Sequence, residues 1–306
     1  MMLDALTGFV VVGLAIVVGY VLGRIDLLGP HARQVLSRLT FYVLSPFLLF
    51  TVLAQADVKV LFSALLPVSA IAAVAVIAVQ ALLARLVWRR CAADTVVSAL
   101  SAGQVNSNNI GIPLSLYLLG SAAYPAPVIL LQLLVFTPVA LAILDSATSG
   151  VRSIRRIVGR TVTNPIVLGS ALGALVSVTG IDLPPFVMEP ALLIAGACVP
   201  VMLITYGISL YGQRVLGATG HRGEVITASV LKLVVMPVVA WLVATLFGLT
   251  AAQTLVVVVL AGLPTAQNVF NYAQRYGVSE TVSRDTILIT TIGCVPILIG
   301  AVLLFG

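Results

Sequence analysis

The residues best suited to hold a ligand stand in two clusters. One is Gln104-Val105-Asn106-Ser107-Asn108-Asn109-Ile110-Gly111-Ile112-Pro113. The other is Gly262-Leu263-Pro264-Thr265-Ala266-Gln267-Asn268-Val269-Phe270-Asn271. A carboxamide carries two N–H donors and a carbonyl acceptor. Asn106, Asn108, Asn109, Gln267, Asn268 and Asn271 can therefore satisfy freed backbone groups or replace the water shell of a ligand. Gly111, Pro113 and Pro264 stand among them. Proline removes a backbone donor and clashes with the preceding turn, and glycine weakens a helix further. Each cluster thus predicts a broken helix. The N-terminus of the second half-helix then presents free N–H groups and a positive dipole end, which suits an anion. The alternative is that the amides only staple neighbouring helices together.

Catalytic chemistry finds no comparable support. An intramembrane aspartyl protease needs two carboxylates within spans, and a zinc protease needs a His-Glu-x-x-His helix; neither pattern occurs. His31 and His221 fall beside loops, away from any serine they might activate. Cys91, Cys198 and Cys294 are widely spaced, so neither a metal site nor a disulfide framework is expected. No cofactor is called for.

The clusters lie in a chain of 306 residues, 60% hydrophobic and 8% charged. Its mean hydropathy is +1.18. A soluble domain carries about 25% charged residues, so this composition points to an integral membrane protein. Ten apolar stretches cover roughly 5–23, 35–54, 61–87, 94–119, 124–144, 162–180, 188–211, 224–247, 251–274 and 286–305. Each is long enough to cross the bilayer core. MMLDALTGF has no basic n-region, so the first stretch is read as a retained helix.

Basic residues orient the spans. Arg24, Arg33 and Arg38 flank the first loop, and Arg85, Arg89 and Arg90 the third. Arg152, Arg155, Arg156 and Arg160 lie in the fifth, Arg214 and Arg222 in the seventh, and Arg275 and Arg284 beside the ninth. The even loops hold Lys59 alone. Basic loops stay in the cytoplasm, so both termini are expected outside. The net charge of +6 is explained by these loops without nucleic acid.

The two halves repeat each other at an offset of about 154 to 159 residues. Ile25-Asp26-Leu27 answers Ile181-Asp182-Leu183. Pro46 answers Pro200, Ala102-Gly103 answers Ala261-Gly262, and Pro138 answers Pro296. Residues 1–145 form one five-span copy, 146–160 a basic linker and 161–306 the second copy. Five is odd, so the second copy enters the membrane in the opposite sense. Paired interrupted segments in an inverted repeat are a pointer to a transport site.

Other polar residues inside spans are few. Lys232 either neutralises half-helix C-termini or attracts an anion near the breaks, or else it snorkels or meets a carbonyl structurally. Gln132 and Thr290 occupy matched places in spans five and ten. They either line the site or bond one helix to another. Gln80 and Tyr206 are weaker candidates, and Pro46 and Pro200 read as kinks. No Asp or Glu falls deep in a span, which argues against a carboxylate proton relay. A sodium site built from carbonyls, Asn and Thr stays open.

Asn106-x-x-x-x-Gly111-Ile112-Pro113-Leu114 resembles the fourth-span motif of the auxin efflux carrier family. Leu263-Pro264-Thr265-Ala266-Gln267-Asn268-Val269-Phe270, with Ala273-Gln274-Arg275-Tyr276-Gly277, resembles its ninth-span signature. The resemblance spans the chain and is to the short-loop bacterial permease branch, related to plant PIN proteins. It implies an all-α fold of ten helices, NhaA-like and bile-acid-symporter-like, with broken helices four and nine crossing at the bilayer midplane. Spans 1, 2, 6 and 7 would form a scaffold and homodimer, and spans 3–5 and 8–10 a mobile transport domain.

The expected function is elevator-type transport of small organic anions (mono- or dicarboxylates, or auxin-like acids) across a bacterial cytoplasmic membrane. A proton or sodium ion would be the coupling ion. Expected substrate contacts are Asn106, Asn108, Asn109, Gly111, Pro113, Pro264, Thr265, Gln267, Asn268, Asn271, Gln132 and Thr290, with Lys232 as a counter-charge. The competing class is a membrane receptor or structural protein that binds a ligand at the same crossing without moving it.

Overall fold

A computed structural model of the chain describes residues 2–55, 65–120, 124–149, 163–212 and 214–305. Lys59 and most of the basic linker, including Arg152, Arg155, Arg156 and Arg160, lie outside the described residues. So do the side chains of Asn108, Asn109 and Pro113.

The described residues are helical almost throughout. In chain order the α-helices are α1 (Met2–Ile25), α2 (Ala32–Leu39), α3 (Ser45–Ala54), α4 (Leu65–Leu86), α5 (Ala92–Gly103), α6 (Ile112–Leu119), α7 (Ala126–Leu131) and α8 (Thr137–Ser149). They continue as α9 (Pro165–Thr179), α10 (Pro185–Gly196), α11 (Cys198–Leu210), α12 (Arg222–Val230), α13 (Met236–Leu246), α14 (Ala251–Gly262), α15 (Gln267–Tyr276) and α16 (Glu280–Phe305). The apolar stretches are mostly helical over their described residues, with breaks inside 94–119 and 251–274. Among the described residues six helical runs are long and apolar enough to cross a membrane, and shorter apolar helices accompany them. Leu193, Leu246 and Leu303 are 80%, 84% and 80% exposed. Outer faces of this kind belong in lipid, and the chain is an integral membrane protein.

Proline position explains several breaks in helical register. Wider π-turns at Thr40–Leu44, Gln132–Phe136 and Leu231–Val235 each stop two residues before Pro46, Pro138 or Pro237. A proline ring collides with the carbonyl four residues back. An i→i+5 turn moves that carbonyl aside, so the helix continues beyond the proline. Pro200 uses another solution. The helix stops at Gly196 and restarts at Cys198, which puts Pro200 in a first turn where no intrahelical donor is needed.

Two helix pairs meet backbone to backbone. A Cβ on Gly19 would lie 2.2 Å from Ile204 O, and one on Gly207 would lie 2.1 Å from Ile16 O. These contacts join α1 to α11. A Cβ on Gly169 would lie 2.4 Å from Pro46 O, and one on Gly173 would lie 2.5 Å from Phe50 O, joining α9 to α3. Small residues permit this approach where lipid supplies no hydrophobic drive between helices. The largest core links α4, α5, α13, α14 and α16 through buried Val76, Ala102, Ala240, Val257 and Leu298, and reaches α11 at Leu203. A second links α5, α8 and α15 to α3 through Val97, Leu141, Tyr272 and Leu53.

Candidate functional site

Both amide clusters interrupt their helices. The chain leaves α5 at Gly103, and Gln104 is extended at φ −78°, ψ 130°. A π-turn at Ser107–Gly111 then leads into α6. The chain leaves α14 at Gly262, with Leu263 at φ −60°, ψ 151° and Ala266 at φ −67°, ψ 134° before α15. The two extended pieces run antiparallel. Val105 and Thr265 form an isolated β-bridge, Asn106 N–H donates to Pro264 O at 2.8 Å, and Ala266 N–H donates to Gln104 O at 3.2 Å. Backbone that cannot be left bare inside a membrane protein is thus satisfied by the other break.

Side chains from the following helices hold each break. Gln132 Oε1 accepts from Val105 N–H at 2.8 Å, while Nε2 donates to Val105 O at 3.1 Å and Ser107 Oγ at 3.2 Å. In the second break Thr265 N–H donates to Thr290 Oγ1 at 3.1 Å. Thr290 Oγ1 in turn donates to Thr286 O at 2.8 Å. Gln132 and Thr290 thus perform like tasks at the two breaks. Of the two readings for these residues, the bond between segments is present at both, and Gln132 also faces the adjoining cavity.

The orphan carbonyls at the two half-helix ends find donors too. Thr265 Oγ1 donates to Ser101 O, in the last turn of α5, at 2.7 Å. Lys232 Nζ donates to Ala261 O, in the last turn of α14, at 2.5 Å, with Met236 Sδ at 3.3 Å. Lys232 is fully buried and lies at the C-terminal end of the half-helix, where a cationic donor complements the dipole. It does not snorkel to an interface.

A cavity of about 50 Å³ adjoins the crossing. Its polar walls come from Gln104, Asn106, Ser107, Gln132, Gln267 and Asn268, and its apolar walls include Leu49, Val52 and Met202. Asn106 Nδ2 donates to Gln267 Oε1 at 2.5 Å across the two breaks. Gln267 Nε2 and Asn271 Nδ2 are buried donors with no hydrogen-bond partner. A buried unmet donor costs about 1–3 kcal/mol, so these two N–H₂ groups suit an incoming acceptor. The N-terminus of α15 has no side-chain cap and opens beside the same cavity.

The crossing brings together Asn106, Pro264, Thr265, Gln267, Asn268, Gln132 and Thr290. Gly111 sits in the π-turn behind Asn106, its N–H donating to Asn106 O at 2.9 Å. Asn271 lies one turn along α15 from Gln267, beside a second, smaller cavity. Gln80 and Tyr206 serve elsewhere. Gln80 donates to Ser98 Oγ at 2.9 Å, and Tyr206 OH donates to Arg284 O at 2.8 Å.

The buried carboxylates escaped the sequence reading. Glu224 and Asp285 are fully buried in protein at helix ends. Glu224 Oε2 lies 2.9 Å from Arg90 Nε and 3.7 Å from His221 Nδ1. Asp285 pairs with Arg284 at 2.8 Å and accepts from Leu216 N–H at 2.9 Å. The helix containing Asp285 begins at Glu280, earlier than the apolar pattern at 286. Among the described residues no group of three His, Cys, Asp or Glu side chains is placed to hold a metal ion.

The chain is 32% identical over 145 residues to a Rhizobium meliloti (strain 1021) protein named "Putative malonate transporter". That match spans 46% of this chain and 43% of the relative, so less than half of the relative's length is covered. The family model described as "Membrane transport protein" matches residues 5–302. The chain therefore belongs to the membrane transport protein family, the auxin efflux carrier family.

Proposed function

We propose that this chain is a secondary transporter of small organic anions, mono- or dicarboxylates or auxin-like acids, bound at the crossing of its two broken helices. One observation carries the reading: the breaks satisfy each other's backbone while Gln267 keeps a buried N–H₂ without a partner beside a polar cavity. Such a donor, with an uncapped helix N-terminus next to it, favours a negatively charged oxygen. The name of the Rhizobium meliloti relative supports a short dicarboxylate such as malonate as the first substrate to try.

In the cycle, the carboxylate loses water and accepts from the amides of Asn106, Gln267 and Asn268. Asn108, Asn109, Gly111, Pro113 and Asn271 belong to the same substrate-binding segments. Pro264, Thr265, Gln132 and Thr290 shape the crossing, and Lys232 supplies the counter-charge. Helices α4–α8 and α12–α16 move as one unit against α1–α3 and α9–α11. Supporting this division, the glycine contacts lock α1 to α11 and α3 to α9, while α4, α5, α13, α14 and α16 share one core, which meets the other group at Leu203 of α11. The two halves are an inverted repeat, the scaffold makes a homodimer, and the protein sits in a bacterial cytoplasmic membrane with both termini outside. A proton or sodium ion provides coupling.

Counterflow in proteoliposomes tests the reading, with labelled malonate exchanged against a panel of unlabelled carboxylates. Saturable exchange is expected. No exchange with any acid, from monodisperse protein, overturns it.

A further inference from the structure

A second cleft, of about 290 Å³, opens where the first and ninth loops meet, on the face predicted to be cytoplasmic. Arg33, Arg38 and Arg275 line it against a single carboxylate, Glu280. Arg33 and Glu280 approach to 3.3 Å, which leaves Arg38 and Arg275 as the uncompensated charge of the wall. Arg275 is held in place by its hydrogen bond to Tyr42 Oη and by the Phe41 and Tyr42 rings, 5.6 and 5.0 Å from its guanidinium carbon.

This cleft shares its lining with a neighbouring cavity. Gln274 lines both it and a small cavity of about 10 Å³ beside Thr40 and Asn271. Gln267 and Met202 line both that small cavity and the one at the crossing. The two unpartnered amide donors, Asn271 Nδ2 and Gln267 Nε2, lie four residues apart on α15 along this line. A cavity this small has room for about one water, so passage along this line requires the side chains between the cavities to part.

We infer that this cleft is the anion-gathering mouth of the protein on its basic face, and that small carboxylates pass from its guanidinium groups to the amides of Asn271 and Gln267 on the way to the crossing. The inference rests on the reading of the chain as an anion carrier. Positive charge in a walled cleft concentrates anions, and such focusing raises association rates by about 10- to 10³-fold. Polar donors spaced one helical turn apart then replace water as the anion moves inward.

Thiol labelling tests the mouth without requiring transport. Gln274→Cys is made in full-length protein carrying Cys91→Ser, the exposed native thiol among three. It is treated with an anionic sulfonatoethyl and a cationic trimethylammonium-ethyl methanethiosulfonate. Rates are normalised to a small thiol in solution. The anionic reagent should react about tenfold faster or more at low salt, and the preference should collapse in Arg33→Gln/Arg38→Gln. Asn271→Cys should show the same preference at a lower rate. If Gln274→Cys does not fold, Gln34→Cys on the same cleft takes its place. A ratio near one or below, or no labelling of folded protein, overturns the mouth. Labelling that stops at the mouth and never reaches Asn271→Cys overturns the route. Counterflow that fails while the anion preference survives removes the carrier reading alone, and the reverse result removes the mouth alone.

Discussion

Lys232 Nζ lies 2.5 Å from the carbonyl oxygen of Ala261, one residue before the end of α14. A lysine in the membrane interior is costly, and here it answers a carbonyl that the break in the helix leaves without an intrahelical donor. Lys232→Met keeps the stem and removes the donor. Counterflow should fall at least tenfold while the protein stays monodisperse. Flux equal to that of the parent would take the residue out of the transport machinery.

Gln132 supplies three hydrogen bonds to Val105 and Ser107. Gln132→Leu leaves the buried Val105 N–H unmet, at about 1–3 kcal/mol, while Val105 O keeps the Ser107 N–H at 2.8 Å. A drop of several degrees in the detergent melting temperature is expected, together with loss of exchange. Gln132→Glu keeps the acceptor for Val105 N–H and loses the donor for Val105 O, so its melting temperature should fall between the two. A Leu variant as stable as the parent would mean that the break is held by the opposing strand alone.

Gly169 has no room for a side chain, since its Cβ would lie 2.4 Å from Pro46 O. Backbone cannot move as a flexible side chain can, so Gly169→Ala should cost about 1–3 kcal/mol or more. Gly13, in α1, has nothing within 4 Å of its Cβ. Gly13→Ala should be neutral or slightly stabilising, because alanine is the better helix former. Thermal unfolding of the two variants side by side checks the contrast.

Asn268 faces the cavity at the crossing. Asn268→Ala should raise the substrate KM several-fold and leave the melting temperature within a degree or two. Unchanged affinity and flux would remove it from the site.

The breaks were legible because Gly, Pro and carboxamides stand out in otherwise apolar spans, and each is unfavourable there for a separate physical reason. Gln132 and Thr290 were legible as a pair only through the register of Pro138 and Pro296. Their partners were not, since spacing says nothing of which backbone group a side chain meets across the bundle. Glu224 and Asp285 fell at span ends by the apolar pattern, where a carboxylate usually meets water. Their burial comes from the segment around Leu216 and His221 folding over them, and no local pattern carries that information. The glycines of α1 and α9 were silent for a similar reason. Glycine is frequent in membrane helices, and its purpose shows only when the opposing backbone is in place.

The pairing of Val105 with Thr265 joins residues 160 positions apart, and this has a bearing on biogenesis. During synthesis the first half reaches the membrane while its partner strand is still unmade. Until residues 263–266 arrive, the N–H of Asn106 and the carbonyl of Gln104 have no protein partner in the crossing, and bare backbone is poorly tolerated in lipid. The nascent first half must therefore keep this segment wet, shielded by the insertion machinery or temporarily coiled as continuous helix. Closure of the crossing becomes one of the last events of assembly. Two separately made halves would each be defective alone and mend each other when expressed together.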